Sequence, residues 1–316
     1  MASSGSANFT VNRNQIINLA GLGSGILGIG RVASAEDTDT ASRLLNLIVK
    51  QWMGKSDFAP GLKQWTRKRA FLFPEKGEHE YTLGTSGDHA TASYSQTTTD
   101  AAEAIGQTVI SVTSTSGMTA ADNIGIRCDD GSIHWSTISS FVTNDTVTIA
   151  SALTVAAATA STVYWYTSKI TMPLSFISIR RMDTSSNETA IVPMTLMEYE
   201  EGIGNKTNDG DPSRYLYERG VTTGKLFFDL EISDTTDVYL LTYLRPIEDF
   251  DTGTDTPDYP QEYERPLVGQ LAIDWATFAG KPVTQDMKDY RDQALAIAGN
   301  LGADENTEEV FFMADT

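Results

Sequence analysis

The chain has 316 residues, 40% of them hydrophobic, with 42 Asp and Glu against 23 Lys and Arg, a formal net charge of −19. A mean field of that sign repels a polyanion, which excludes the usual phosphate-gripping nucleic-acid binder and a polybasic membrane-surface protein. One cysteine (Cys128) forbids an intramolecular disulfide, and three histidines leave little material for a metal site or a catalytic base.

The length suggests about two domains. Residues 10–22 carry Ile16, Ile17, Leu19 and Ala20 among polar residues and read as a short amphipathic helix ending in glycines. Ser34 is a good helix N-cap, and Glu36 and Asp37 follow in the first turn, where carboxylates suit the helix dipole. Ala41, Leu44, Leu45, Ile48 and Trp52 then recur at the spacing of one buried helical face, until Gly54 and Pro60-Gly61 end it. From residue 62 the period changes, and two short strands are expected on either side of a turn at 75–77.

Residues 86–104 are rich in Thr, Ser and Ala and read as a linker or loop. Between 107 and 169 short alternating runs (Val109-Ile110, Ile124-Ile126, Ile133-Trp135, Val147-Ile149, Val163-Trp165) are punctuated by Asp130-Gly131 and Asn144-Asp145. They predict a small all-β sandwich or barrel, inserted between parts of mixed character. Further on, strands are expected at 170–182 and 190–194, a short helix at 196–203, and an antiparallel meander from runs at 215–217, 226–230 and 238–244. An acidic, turn-rich loop follows at 248–260, then helices from about Pro266 to Phe278 and from 284 to 298. The closing Val310-Phe311-Phe312-Met313 is an apolar patch on an acidic tail, the kind of terminus that docks on something.

Several motifs invite chemistry. Gly23, Gly25 and Gly28 fit GxGxxG, but that cradle needs a preceding strand, and helix is expected here. Asp251-Thr252-Gly253 matches an aspartic-protease loop, whose chemistry needs a second copy that the chain lacks. The acids at 249, 251, 255 and 258 do not have EF-hand spacing. Tyr164 and Tyr166 share one strand face, with Trp165 on the other, so with Trp135 they offer either a sugar-stacking surface or core. Lys63, Arg67, Lys68 and Arg69 are the densest basic cluster, suited to a neighbouring copy's acids or to DNA phosphate. No stretch reaches the ~18 apolar residues that span a bilayer, and MASSGSANFT lacks the pattern of a secretory signal.

The order of LLNLIVKQW (44–52), GLKQWTRKRAFLFPEKGEHEYTLG (61–84), RYLYERG (214–220), LTYLRPIEDFDTGTDTPDYPQEY (241–263) and LVGQLAIDWA (267–276) resembles the head-to-tail adaptor, or tail accessory, proteins of short-tailed bacteriophages. The block at 106–135 resembles a β-domain inserted in some members. The resemblance implies an α+β fold: a helical adaptor core with antiparallel strands from 1–85 and 171–316, and an inserted all-β domain at 86–170. It implies a structural protein with no catalytic residue, cofactor or metal. The expected setting is a virion's portal vertex, the chain being made in the host cytoplasm and forming a homododecameric ring of about twelve copies. Portal protein would lie above, a tail nozzle or tube below, and a fibre or spike at the side. Val310, Phe311, Phe312 and Met313 would be the portal-binding anchor. Genomic DNA would pass without specific binding, because an acidic lining repels it over roughly 8–10 Å, whereas basic contacts would retain it. The alternative is a tail-side module whose β-domain binds tail fibres or host glycan.

Overall fold

In chain order the elements are α1 (Arg13–Gly23), α2 (Ala35–Trp52), β1 (Lys55–Ser56), β2 (Ala59–Pro60), a 3-10 turn (Leu62–Thr66), β3 (Arg67–Leu72), β4 (Glu80–Leu83), β5 (Ala90–Thr91) and β6 (Ser95–Thr98). Next come β7 (Val109–Ser111), β8 (Asn123–Arg127), β9 (Ile133–Phe141), β10 (Thr146–Ile149) and β11 (Thr162–Tyr166). The chain continues with β12 (Ser175–Met182), β13 (Glu188–Pro193), α3 (Leu196–Gly202), β14 (Asp209–Gly210), β15 (Arg214–Arg219), β16 (Gly224–Phe228), β17 (Glu231–Ile232), β18 (Val238–Leu244), α4 (Glu264–Phe278) and α5 (Gln285–Gly302). These come from a computed structural model that describes residues 9–56 and 59–302, with backbone alone at 301–302. The fold is therefore mixed α+β. Its contacts divide it into a unit made from both chain ends, up to Thr66 and from Ile247 onward, and a second unit, Arg67–Pro246. The expected insert at 86–170 lies within the second unit, which also takes in β3, β4 and β12–β18.

Helix α2 starts where Ser34 places it, whereas α1 begins at Arg13 rather than at residue 10, on a cap formed by Asn12. Asn12 Oδ1 accepts from the Gln15 amide, and Gln15 Oε1 accepts from the Asn12 amide, both at 2.9 Å. Ser34 and Asp37 make the same reciprocal pair at the head of α2. Such a cap is worth about 1 kcal/mol. On α2 the residues Ala41, Leu44, Leu45, Ile48, Val49 and Trp52 are buried, one more than the periodicity picks out. Helix α4 is the hub, packed on α1, α2 and α5. It is apolar on more than one side, with Leu267, Leu271, Trp275 and Ala276 all buried. Gly21 permits the close approach of α1 to α4, since a Cβ there would lie 3.0 Å from the Trp275 ring and 2.5 Å from Leu27 Cδ1.

Six antiparallel strands of the second unit run in the order β6-β11-β8-β9-β10-β7. A Thr99–Val112 bridge, with amide bonds from Asp100 to Ser111 O and from Thr113 to Thr98 O, joins the two outer strands and closes the sheet into a barrel. Closure removes the unpaired edges that an open sheet would expose. Ile110, Ile124, Ile126, Ile138, Val147, Val163 and Trp165 fill it.

Residues 86–104 are not a linker. They hold β5 and β6, and Thr91, Thr99 and Glu103 are buried there. Glu103 accepts the Ser111 amide at 2.7 Å, and the Thr99 hydroxyl donates to Ala158 O at 2.7 Å. Threonine suits a strand, and its hydroxyl can be satisfied by backbone when buried.

The other sheet has the order β4-β16-β15-β13-β12-β18-β3-β5. The expected meander is corrected in one respect. Strands β15 and β16 do form an antiparallel hairpin, but β18 lies between β12 and β3. The cause is its composition: six of its seven residues are apolar or aromatic, and five are buried, which suits a central strand covered on both faces. Strands β13 and β15 pair in parallel, with α3 lying between them in the chain.

Candidate functional site

The helical unit carries a groove of about 690 Å3 between the last turns of α1 with the residues that precede that helix, one face of α4 and the first turns of α5. Phe9, Leu19, Val268, Ala272, Met287 and Tyr290 give it apolar walls. Gly269 sets its floor: a Cβ there would lie 3.1 Å from Tyr290 and 3.2 Å from Arg291, so α5 can lie close against α4. Arg265 stacks over the Tyr290 ring at 4.8 Å and makes no ion pair among the described residues. Glu264 is buried and accepts the Val11 amide at 3.4 Å. Burial raises its carboxyl above the usual range, the Val11 bond offsets part of that, and the Glu262 charge adds to it.

The acidic loop has a structural job. Lys50 Nζ donates to Ile247 O and pairs with Asp249 at 2.7 Å, while Asn46 takes the Phe250 amide at 2.9 Å. Arg13 donates to Asp251 O, and its backbone amide to Asp255 O, both at 2.8 Å. The Asp251 loop is thus fastened to α1 and α2. The Gly23–Gly28 stretch follows a helix, and the Ile26 and Leu27 amides turn back onto Gly21 O. With no strand before it, it lacks the geometry of a phosphate cradle.

Of the basic cluster, Lys63 lies exposed in the 3-10 turn of the helical unit, and Arg67, Lys68 and Arg69 lie exposed at the start of β3 in the other. None of the four pairs with a carboxylate among the described residues. Val310, Phe311, Phe312 and Met313 fall outside the described residues.

The aromatic cluster is core on both faces. Trp165 points into the barrel, and Tyr164 and Tyr166 pack outside it with Phe73, Ile133 and Val238. Trp135 stacks on His89 at 3.8 Å and 5°. Burial, and then the Lys169 charge, pull the His89 imidazole down to about 3. Its Nδ1 lies 2.6 Å from the Tyr166 hydroxyl, which burial keeps protonated and able to donate. The folded chain refuses a proton that the unfolded chain takes up near pH 6.5, so this group's stabilisation is complete above that pH and is lost as the pH falls toward 3. Between pH 7.5 and 5 the loss is of order 2 kcal/mol. Urea unfolding of His89→Phe against the parent over that range is expected to show a flatter acid limb; parallel limbs would contradict it.

Cys128 is buried, and its thiol is pushed up mainly by burial. Among the described residues no three His, Cys, Asp or Glu side chains gather as a metal site, and no helix is long and apolar enough to cross a membrane. A second cleft of about 430 Å3, in the β unit, is lined by Tyr94, Thr97, Thr113, Tyr164, Asp183 and Thr236 among others. The apolar groove and this cleft are what sequence reasoning missed. Their walls come from segments far apart in the chain, and a glycine inside α4 was the one local signal.

No protein-family profile matches the chain, and comparison with curated proteins finds no match.

Proposed function

We propose that the chain is a structural head-to-tail adaptor of a short-tailed bacteriophage, forming a ring beneath the portal that joins it to the tail nozzle or tube and leaves a channel for DNA. The observation that carries this reading is the apolar surface that one copy of the helical unit leaves uncovered. In the loop between α1 and α2, Ile29 is 100% exposed and Val32 76%, while Leu47 on α2 and Phe278 at the end of α4 are 66% and 74% exposed. Side chains of this kind, held on ordered helices and a short loop, suit burial against neighbouring copies, and a ring supplies them on both sides of every subunit. The net charge of −19 suits a conduit that DNA must leave freely.

The test is assembly on purified portal. Ile29→Asp with Val32→Asp removes the most exposed apolar pair described in the helical unit without touching the core. The double variant is expected to lose ring formation, seen by sedimentation, while its melting temperature stays within a few degrees of the parent. Rings that form unchanged would contradict the reading.

The second reading, a fibre- or glycan-binding module, draws on the threonine- and tyrosine-lined cleft of the β unit. Deleting the barrel is a poor test, because Ile133, Tyr164 and Tyr166 cover Phe73 and Val238. Thr113→Lys at the cleft leaves that core alone. Loss of glycan or fibre capture with intact rings would favour the second reading, and unchanged capture would count against it.

A further inference from the structure

We infer that the groove between α1, α4 and α5 receives an amphipathic helix of a different polypeptide, one whose apolar face carries a lysine or arginine that pairs with Glu264 and Asp286. The inference does not rest on the adaptor reading and stands whether or not the chain joins a ring.

Shape bears on the kind of occupant. Phe9, Leu19 and Tyr290 line the groove and are themselves exposed, so it opens to solvent. A small-molecule pocket encloses about 70–90% of its ligand's surface. An open trough with helices for walls and apolar side chains along them suits a further helix laid into it.

Charge fixes the sign of the partner. Glu264, Asp286 and Arg265 all line the groove. Arg265 lies over the Tyr290 ring, and neither carboxylate makes an ion pair among the described residues. Both acids stand in the first turn of a helix, Glu264 in α4 and Asp286 in α5, where the dipole favours a carboxylate. That accounts for Asp286, which is exposed. It does not account for Glu264, which is 6% exposed and accepts a single hydrogen bond among the described residues, from the Val11 amide at 3.4 Å. A carboxylate so far out of water is stabilised by a cation that also donates hydrogen bonds to it. Two carboxylates against one guanidinium, set among apolar walls, fit a segment that is apolar and basic.

A second copy of the chain does not offer such a segment among its described helices. Helices α2, α3, α4 and α5 each carry more acids than bases. Helix α1 has Arg13 as its one charged residue, and that guanidinium already donates to Asp251 O.

The test uses the full chain and two fluorescent peptides patterned as amphipathic helices, one of leucine and lysine and one of leucine and glutamate. Titrations are run at physiological salt, which screens surface charges beyond about 8 Å. The parent is expected to bind the lysine peptide at least tenfold more tightly than the glutamate peptide. Leu19→Ser/Met287→Ser keeps the net charge and is expected to lose at least tenfold in that affinity. Glu264→Gln/Asp286→Asn keeps the apolar walls and is expected to lose the preference for lysine. Asp286→Asn alone, at an exposed position, is expected to lose at least threefold and serves if Glu264→Gln does not fold. Equal binding of the two peptides, or none, overturns the inference. So does lysine-peptide binding that survives Leu19→Ser/Met287→Ser, which would show attraction by diffuse surface charge. Sedimentation of the parent alone covers the remaining occupant: self-association that Leu19→Ser/Met287→Ser abolishes would show that the groove takes a second copy, and would overturn the inference as well.

Discussion

Trp52→Ala is expected to remove about 3–5 kcal/mol from the helical unit, the cost of truncating a large aromatic in a core that cannot fully collapse. Trp52 is 2% exposed at the end of α2 and belongs to the same cluster as Leu45, Leu62, Tyr263 and Leu271. That cluster joins residues from the two ends of the chain. Domain stabilities run about 5–15 kcal/mol, so the loss is a large share of what holds the unit together. Urea unfolding followed by the helical circular dichroism signal gives the value, and Trp52→Phe should recover a substantial part of it. A loss below about 1 kcal/mol would mean that α2 does not close this core as described.

Deleting residues 309–316 is expected to weaken docking onto purified portal at least a hundredfold. The deletion removes the whole Val310–Met313 run. Each such side chain contributes about 1.5–3 kcal/mol when fully buried, part of which is offset by the ordering of the tail. The helical core should be unaffected, because α5 ends before the deletion begins. Titration by light scattering or mass photometry checks it. A truncated chain that docks as well as the parent would remove the anchor from the account and leave it to stand on the exposed apolar residues Ile29, Val32, Leu47 and Phe278.

Much of the helical unit was legible because its signals are local. Ser34, Asp37 and the spacing from Ala41 to Trp52 define α2 from start to finish. By alternation Tyr164 and Tyr166 fall on one strand face and Trp165 on the other, but which face lines the barrel shows only in the fold, where Trp165 points inward with Val163. What the chain order hid was non-local. Nothing near β18 says that its neighbours are β12 and β3, and a run of Thr and Ser at 86–104 has the composition of a loop until pairing and buried hydroxyls make it strand. The acids of 248–260 look like free surface charge in sequence. In the fold, Asp249 meets Lys50, and Asp251 and Asp255 hold Arg13 through their carbonyls. The groove was least legible, since Leu19, Val268 and Tyr290 come from three helices and share a wall only after packing.

The most direct test of the central claim is an image reconstruction of the portal vertex of a virion that carries this chain. The account predicts its density as a closed ring under the portal, with Ile29 and Val32 at the contact between neighbouring copies and acidic side chains facing the channel. A vertex that lacks the chain, or a chain found there as isolated copies with no contact between neighbours, would contradict it.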